Sequence, residues 1–412
     1  MTKTYYRQIV YVGLFFFIFG FVTWINGALI PYLRIACQLN EIQSYLVTFA
    51  FYISYTIMAI PSTIIIKRLG MLGAMKIGLY IMALGCLQFI PAAYFREYGL
   101  FLMGLFSIGI GLTVLQAAVN PFITLLGSPE SATQRISIMS ACNKFAGLLA
   151  PIIFSYIVLN DSEDLPTKIA NTPVEDLQKL LDSLAQKVIL PYTGLAIILV
   201  MIAFTLKYSV LNKVQPIVVK NTTSDNKKFT IKFRSQIAFG FIAIFCCVGA
   251  EVVAGDTISS YALSQNIEWN IAKNLTSLTL FFMFIGCILS AIIVPKYLSY
   301  QNGFFLSTSL GLLTVIAIVC IPSSLTVYAV AFLGFTNAIL WPAIWPQALN
   351  NLTDKKLRIA SAVLVMGIAG GAIMPLIYGW ISSYIGNQYG YIVLIPCYIY
   401  LIFYCYSGKK PL

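Results

Sequence analysis

Histidine is absent from this chain of 412 residues. That excludes a His-based zinc site, an imidazole relay to a nucleophile and an imidazole pH switch. Charge is scarce as well: charged residues are 10% of the chain, and only 14 are acidic. The nine cysteines are scattered, mostly inside apolar runs, and no Cys-x-x-Cys pair has metal spacing. Adjacent Cys246 and Cys247 therefore read as small core residues. Walker loop, Gly-x-Ser-x-Gly elbow and His-Glu-x-x-His helix are all lacking, so an ATP-driven pump or an intramembrane hydrolase has no motif to work with. No enzyme, metal site or bound cofactor is expected. No short apolar run followed by a cleavage site marks a removable signal peptide.

What is present in excess is apolar surface. Hydrophobic residues make up 59% of the chain, and mean hydropathy is +0.86. Runs of about 20 such residues suit helices crossing a bilayer. The expected fold class is all-α and integral to the membrane, with twelve transmembrane helices at approximately 8–33, 43–66, 74–95, 100–126, 136–159, 188–211, 235–263, 274–295, 304–322, 325–349, 358–384 and 389–407. With both termini inside, 19 of the 26 lysines and arginines fall in cytoplasmic segments, six fall outside, and Lys144 alone lies within the membrane. The formal charge of +12 is thus a topology signal of the positive-inside kind, not a nucleic-acid footprint. The expected partners are the lipid bilayer and a small solute, with the chain acting as a monomer in a bacterial inner membrane.

The chain divides into an N-terminal six-helix half, 1–211, a polar basic linker, 212–234, and a C-terminal half, 235–412. The linker carries NTTSDNKK, a composition that favours mobility. The halves repeat weakly: Gln116 to Pro121 answers Asn337 to Pro342, and Asn26-Gly27 answers Gly255-Asp256. A six-plus-six repeat of this kind places substrate between the halves near the midplane. The outer segment 160–187 contains VEDLQKLLDSLAQKV, whose apolar spacing predicts a short amphipathic helix, a solvated loop being the alternative.

Polar groups sit deep in the apolar runs. Gln116 and Asn120 are one helical turn apart and share a face. Asn143 and Lys144 lie nine residues into the fifth span, roughly 13 Å from its start. Both belong to the stretch Val114 to Gly147, which has Pro129 and Arg135 in its connection. Amides at such depth are helix–helix glue or solute ligands, whereas an intramembrane lysine is functional by default. The seventh span holds two carboxylates, Glu251 and Asp256, about 140° apart around a regular helix. Either Gly249 and Gly255 let that helix unwind so that both face one cavity, or the two acids serve different partners. The depths put Lys144 within reach of Glu251 only through a long side chain or water, and the alternative role is a buried pair that merely locks the halves. Asn26, Gln116, Asn120, Asn143 and Asn337 both donate and accept, as sugar hydroxyls require. Among Trp24, Trp341 and Trp345, Trp341 is the favoured platform for a sugar face. Lys144, Glu251 and Asp256 are the candidates for coupling to H+ or Na+.

The segments LQAAVNPFITLLG, PESA and RISIMSACNKFAG, together with FGFVTWINGALIPYL and GGAIMPLIYGWIS, resemble the fucose:proton symporter family of the major facilitator superfamily. VGAEV in the seventh span and CNK in the fifth are similar to its bacterial glucose/galactose-type members. The resemblance implies the major facilitator fold and a neutral hexose as substrate. It also implies proton-linked carboxylates in the first and fourth spans, but Gly27 and Gln116 stand at those places. Ser140 replaces the family's fifth-span glutamine, while the amide at Asn143 is kept. Secondary active transport by alternating access is the leading reading. A passive facilitator is the first alternative, favoured by the two missing acids. A non-transporting sugar sensor would need a signalling segment where this chain has GKKPL, and an amide-rich cavity suits sugars better than the lipophilic cations of drug efflux.

Overall fold

The computed structural model describes residues 3–125, 132–159, 165–206, 231–293, 296–349 and 354–407. Most of the linker, Pro129, the start of the 160–187 segment and the GKKPL tail lie outside the described residues. Among those described, every regular element is helical.

Among the described residues, eleven helical stretches are long and apolar enough to cross a membrane. They are Tyr6–Ala36, Leu46–Phe95, Tyr98–Asn120, Ile138–Val158, Glu175–Thr205, Gln236–Asp256, Trp269–Ile293, Tyr300–Cys320, Thr326–Leu349, Ala360–Ile385 and Asn387–Tyr406. Leu46–Phe95 is two crossings. Its helix Leu46–Leu87 has 42 residues, about 63 Å at 1.5 Å per residue, roughly twice a hydrocarbon core. Gly70 breaks it with φ 71° and ψ 173°, a conformation that glycine adopts without steric penalty. Lys67 and Arg68 precede this turn and Lys76 follows it. Counted so, the spans among the described residues number twelve, as the sequence predicts.

The solvent of the outer surface is evident from its side chains. Leu190 and Phe204 are each 71% exposed, and many further Ile, Leu and Tyr side chains face outward, a surface suited to lipid. Several spans are interrupted. The first breaks at Ile25, between helices Lys3–Trp24 and Asn26–Ala36. The seventh breaks at Thr257, between Ile231–Asp256 and Ile258–Ser264. The tenth breaks at 338–339, and the eleventh passes through a 3-10 turn at Gly367–Ala369. The fourth and fifth, their counterparts in the first half, run unbroken as far as they are described.

The halves are sealed at one end. From Asn26 to Leu33 and from Val252 to Ala262 every residue is buried, on all sides of both helices. Tyr45 stands edge-on to Tyr378 there, with ring centroids 5.7 Å apart. Nearer the opposite, basic end, polar and aromatic groups keep exposed surface: Asn120 is exposed, and Gln116, Lys144, Trp341 and Trp345 are half-buried. The expected amphipathic helix is present at the sealed end as Val174–Lys187. It buries Leu181, Leu184 and Ala185. Its acidic first turn, Glu175 and Asp176, and Lys187 in its last turn complement the helix dipole.

Candidate functional site

Asp256 is the last residue of helix Ile231–Asp256, which is regular throughout, so the two acids of the seventh span point to different neighbours. No unwinding at Gly249 or Gly255 intervenes. Glu251 meets Lys144 of the fifth span in a direct ion pair, and the two side chains are 12% and 14% exposed. The lysine stem bridges the depth difference without water. Lys144 Nζ also lies 4.9 Å from the ring centroid of Trp24, a cation–π distance. Asp256 is 1% exposed. Its Oδ2 accepts a hydrogen bond from Thr48 Oγ1 at 3.1 Å, and its Oδ1 has no partner.

Trp24 is the hub of this arrangement. It is 2% exposed and packs with Leu280, Met283, Cys287 and Ala338 of the other half. The absence of side chains at two glycines makes room for its ring. A Cβ on Gly147 would strike the indole, and one on Gly255 would stand 2.5 Å from it. Tryptophan in a membrane helix often anchors at the headgroups. This one is instead a wedge between the two halves, carrying the charged pair on its face.

The amides divide into two groups. Gln116 Nε2 donates to Tyr55 Oη at 3.3 Å and, with exposed Asn120, faces the open side. Asn143 Nδ2 donates to the Phe16 carbonyl at 3.3 Å, binding the fifth span to the first. Asn337 accepts from Tyr398 Oη at 2.7 Å and is 2% exposed. Asn26 is completely buried, and neither amide atom has a partner. Trp341 stacks on Trp345, with centroids 5.3 Å apart and planes inclined by 18°, leaving the opposite face of each indole for other contacts. Thus Gln116 and Asn120 keep exposed surface, whereas Asn26 and Asn337 are buried.

Sequence reasoning passed over the second span. Tyr45, Thr48, Tyr52 and Tyr55 recur at spacings of three, four and three residues, which puts them on one helix face. That face meets the other half. Thr56 Oγ1 donates to the Met366 carbonyl at 3.2 Å, and a Cβ on Gly379 would stand 2.5 Å from the Tyr45 ring. The signal was legible as a polar–aromatic stripe within an otherwise aliphatic helix.

The arrangement places an ion pair across the boundary between the halves. The sequence profile of the Major Facilitator Superfamily matches residues 12–375. A glucose/galactose transporter of Brucella abortus biovar 1 (strain 9-941) is 30% identical over 414 aligned residues, 99% of this chain and 95% of its own length. The L-fucose-proton symporter of Escherichia coli (strain K12) is 28% identical over 90% of this chain and 86% of its own. Among solved structures, the transporter FucP in its outward conformation superposes with a TM-score of 0.76 at 22% identity, covering 99% of this chain and 100% of its own. That likeness is one of fold.

Proposed function

The chain belongs to the Major Facilitator Superfamily, and from that premise we propose that it carries a neutral monosaccharide, a hexose of the glucose or galactose type, by alternating access coupled to a cation. The observation that carries this reading is the full-length likeness to the Brucella abortus glucose/galactose transporter, 30% identity over 99% of this chain. Gln116 and Asn120 on the accessible face support it, because amides match sugar hydroxyls as both donors and acceptors. Trp341 would offer an indole face to the apolar side of a pyranose. The basic end is cytoplasmic in this reading, following the charge asymmetry, and both termini lie on that side of a bacterial inner membrane. The open side of the structure then faces the cytoplasm.

Coupling is assigned to the seventh span. Glu251 exchanges between Lys144 and an entering cation as the halves part, and Asp256 binds the cation directly. Counterflow in proteoliposomes with a panel of hexoses tests the substrate: a labelled hexose should exchange, and absence of exchange with every hexose would sink the sugar reading. Imposed proton and sodium gradients then test coupling. Glu251→Gln and Asp256→Asn should lose gradient-driven accumulation and keep counterflow. A passive facilitator is the second reading, supported by Gly27 and Gln116 at the places where related symporters are expected to carry acids. Wild-type protein that equilibrates hexose but accumulates none under any gradient would establish it.

A further inference from the structure

We propose that Trp24 is the positioning residue of the coupling pair: its indole face is the seat on which the Lys144 ammonium stays when Glu251 leaves it. The bare charge at the parted boundary is then the carboxylate, and the ion that enters there is a cation. This rests on the coupled-transport reading for its place in the cycle, but the seat itself can be tested without sugar.

The geometry gathers groups from three spans. Lys144 Nζ lies 4.9 Å from the centroid of the Trp24 ring and is at the same time paired with Glu251. Gly147 lies three residues after Lys144 and so on the same face of the fifth span. A Cβ there would strike the indole, so the ring lies along the fifth span from Lys144 to Gly147. The first and fifth spans also interlock beside it. A Cβ on Gly20 would strike the Asn143 carbonyl, and Asn143 Nδ2 donates to the Phe16 carbonyl at 3.3 Å. Both spans belong to the first half, and interiors packed this closely shift as units. Trp24 and Lys144 therefore stay together when the halves part.

Across the boundary the contacts are of two kinds. Trp24 meets apolar groups of the second half, Leu280, Met283, Cys287 and Ala338, together with Gly255, where a Cβ would stand 2.5 Å from the ring. Parting these leaves no charge behind. Parting Lys144 from Glu251 strands two charges, and here the two sides differ. The lysine keeps the π-face beneath it, whose quadrupole attracts a cation. The same negative face repels an anion approaching the lysine from that side. Glu251 keeps nothing comparable, since Lys144 is its one ion-pair partner among the described residues. The broken pair is thus asymmetric: one member is still held, and the other seeks a positive ion. A side chain that only filled the space beside Gly147 and Gly255 would give no such bias.

The test replaces Trp24 alone by mono-, di- and trifluorotryptophan, which nearly keep the shape of the ring while weakening the negative potential of its face step by step. The purified full chain is unfolded with denaturant in detergent, without sugar. In Glu251→Gln, where Lys144 has lost its carboxylate, the unfolding equilibrium constant should rise with each fluorine, by roughly tenfold in all. In Lys144→Met the series should be flat. A flat series in both backgrounds, or an equal slope in both, makes the ring a space-filler and overturns the proposal. Should Glu251→Gln fail to fold, the unsubstituted chain against Lys144→Met carries the same comparison with a smaller slope. In proteoliposomes the hexose accumulation ratio under an imposed cation gradient should fall across the same series. A ratio indifferent to fluorine removes Trp24 from coupling. Wild-type protein without hexose counterflow ends the sugar reading instead, and the unfolding series then decides the ammonium seat on its own.

Discussion

Glu251 meets a lysine from the opposite half, whereas Asp256, farther along the same helix, meets one threonine hydroxyl. Both acids are buried, both lie on the boundary between the halves, and both are carried by one regular helix. The difference is in what the other half brings to each. At Glu251 it brings a formal charge and an aromatic face, making a unit that is already neutral. At Asp256 it brings a neutral oxygen. A complete ion pair resists a third charge until its partner withdraws, and an incomplete one invites it. Burial alone therefore does not say which acid of a membrane helix is free to bind an ion.

The comparison breaks most sharply at the pair. Removing one partner of a buried ion pair strands the other, at a cost of about 3–5 kcal/mol. Lys144→Met and Glu251→Gln should each lower stability toward the lower end of that range, since both side chains keep a little exposure. The double variant should lose much less than the sum, because it leaves no orphan charge. Unfolding in detergent with increasing denaturant reads this directly. Single variants as stable as the wild type would show that the pair is already solvated.

A second test addresses the wedge on which the pair rests. Gly255→Ala puts a methyl group 2.5 Å from the Trp24 ring. Overpacking of that order costs about 1–3 kcal/mol, and here it opposes only the closed arrangement of the sealed end. The ratio of open to closed forms should shift by roughly 5- to 150-fold. A cysteine introduced at Ser260 should then react faster with a maleimide from that side. Gly194→Ala, where nothing lies within 4 Å, should change nothing. Equal behaviour of the two glycine variants would remove Trp24 from the closure.

Much of the architecture was legible because a bilayer allows few solutions. Runs of about 20 apolar residues must become helices to satisfy their backbone, and Gly70 among Lys67, Arg68 and Lys76 marks the turn that divides Leu46–Phe95. Helix periodicity likewise revealed Val174–Lys187. The site was legible only in its ingredients. The spacing of Glu251 and Asp256 left open whether both face one cavity or serve different partners, and the partners they have come from the fifth and second spans, more than a hundred residues away. Trp24 illustrates the limit: its sequence context suits an interface anchor, and only the approach of Gly147 and Gly255 makes it a wedge. Asn143 and Asn337 show the same in reverse, since their amides find a carbonyl and a tyrosine within their own halves.

The side proposed to face the solute offers a smaller effect. Gln116 is half-buried, so its alanine variant should weaken hexose binding by about 1 kcal/mol, roughly fivefold, while leaving the Lys144–Glu251 unit and the unfolding midpoint unchanged. Asn337→Ala, which exposes the Tyr398 hydroxyl to an apolar cavity, should do the opposite and act on stability first. Equilibrium binding of labelled hexose beside unfolding measurements separates the two. Unchanged hexose affinity in Gln116→Ala would remove that amide from the solute surface.

Of the two acids, Asp256 is expected to give the smaller stability change, and it sharpens the comparison most. In sodium-free buffer Asp256→Asn removes an unpaired buried charge but keeps the shape of the side chain. The amide oxygen still accepts from Thr48, replacing the 3.1 Å bond to Oδ2. Oδ1 has no partner in the wild type, so the new amide group displaces no existing bond there. Exchanging a buried, uncompensated carboxylate for a neutral amide of the same shape relieves the cost of the charge, so the change is expected within about 1 kcal/mol. Glu251→Gln, with the same change of atoms five residues earlier, leaves Lys144 unpaired and costs several times as much. The pair of variants, unfolded side by side without sodium, thus isolates the effect of the partner from that of the acid. If Asp256→Asn were as destabilising as Glu251→Gln, Asp256 would have to be held by a positive group in the sodium-free protein, and the contrast between the two carboxylates would fail.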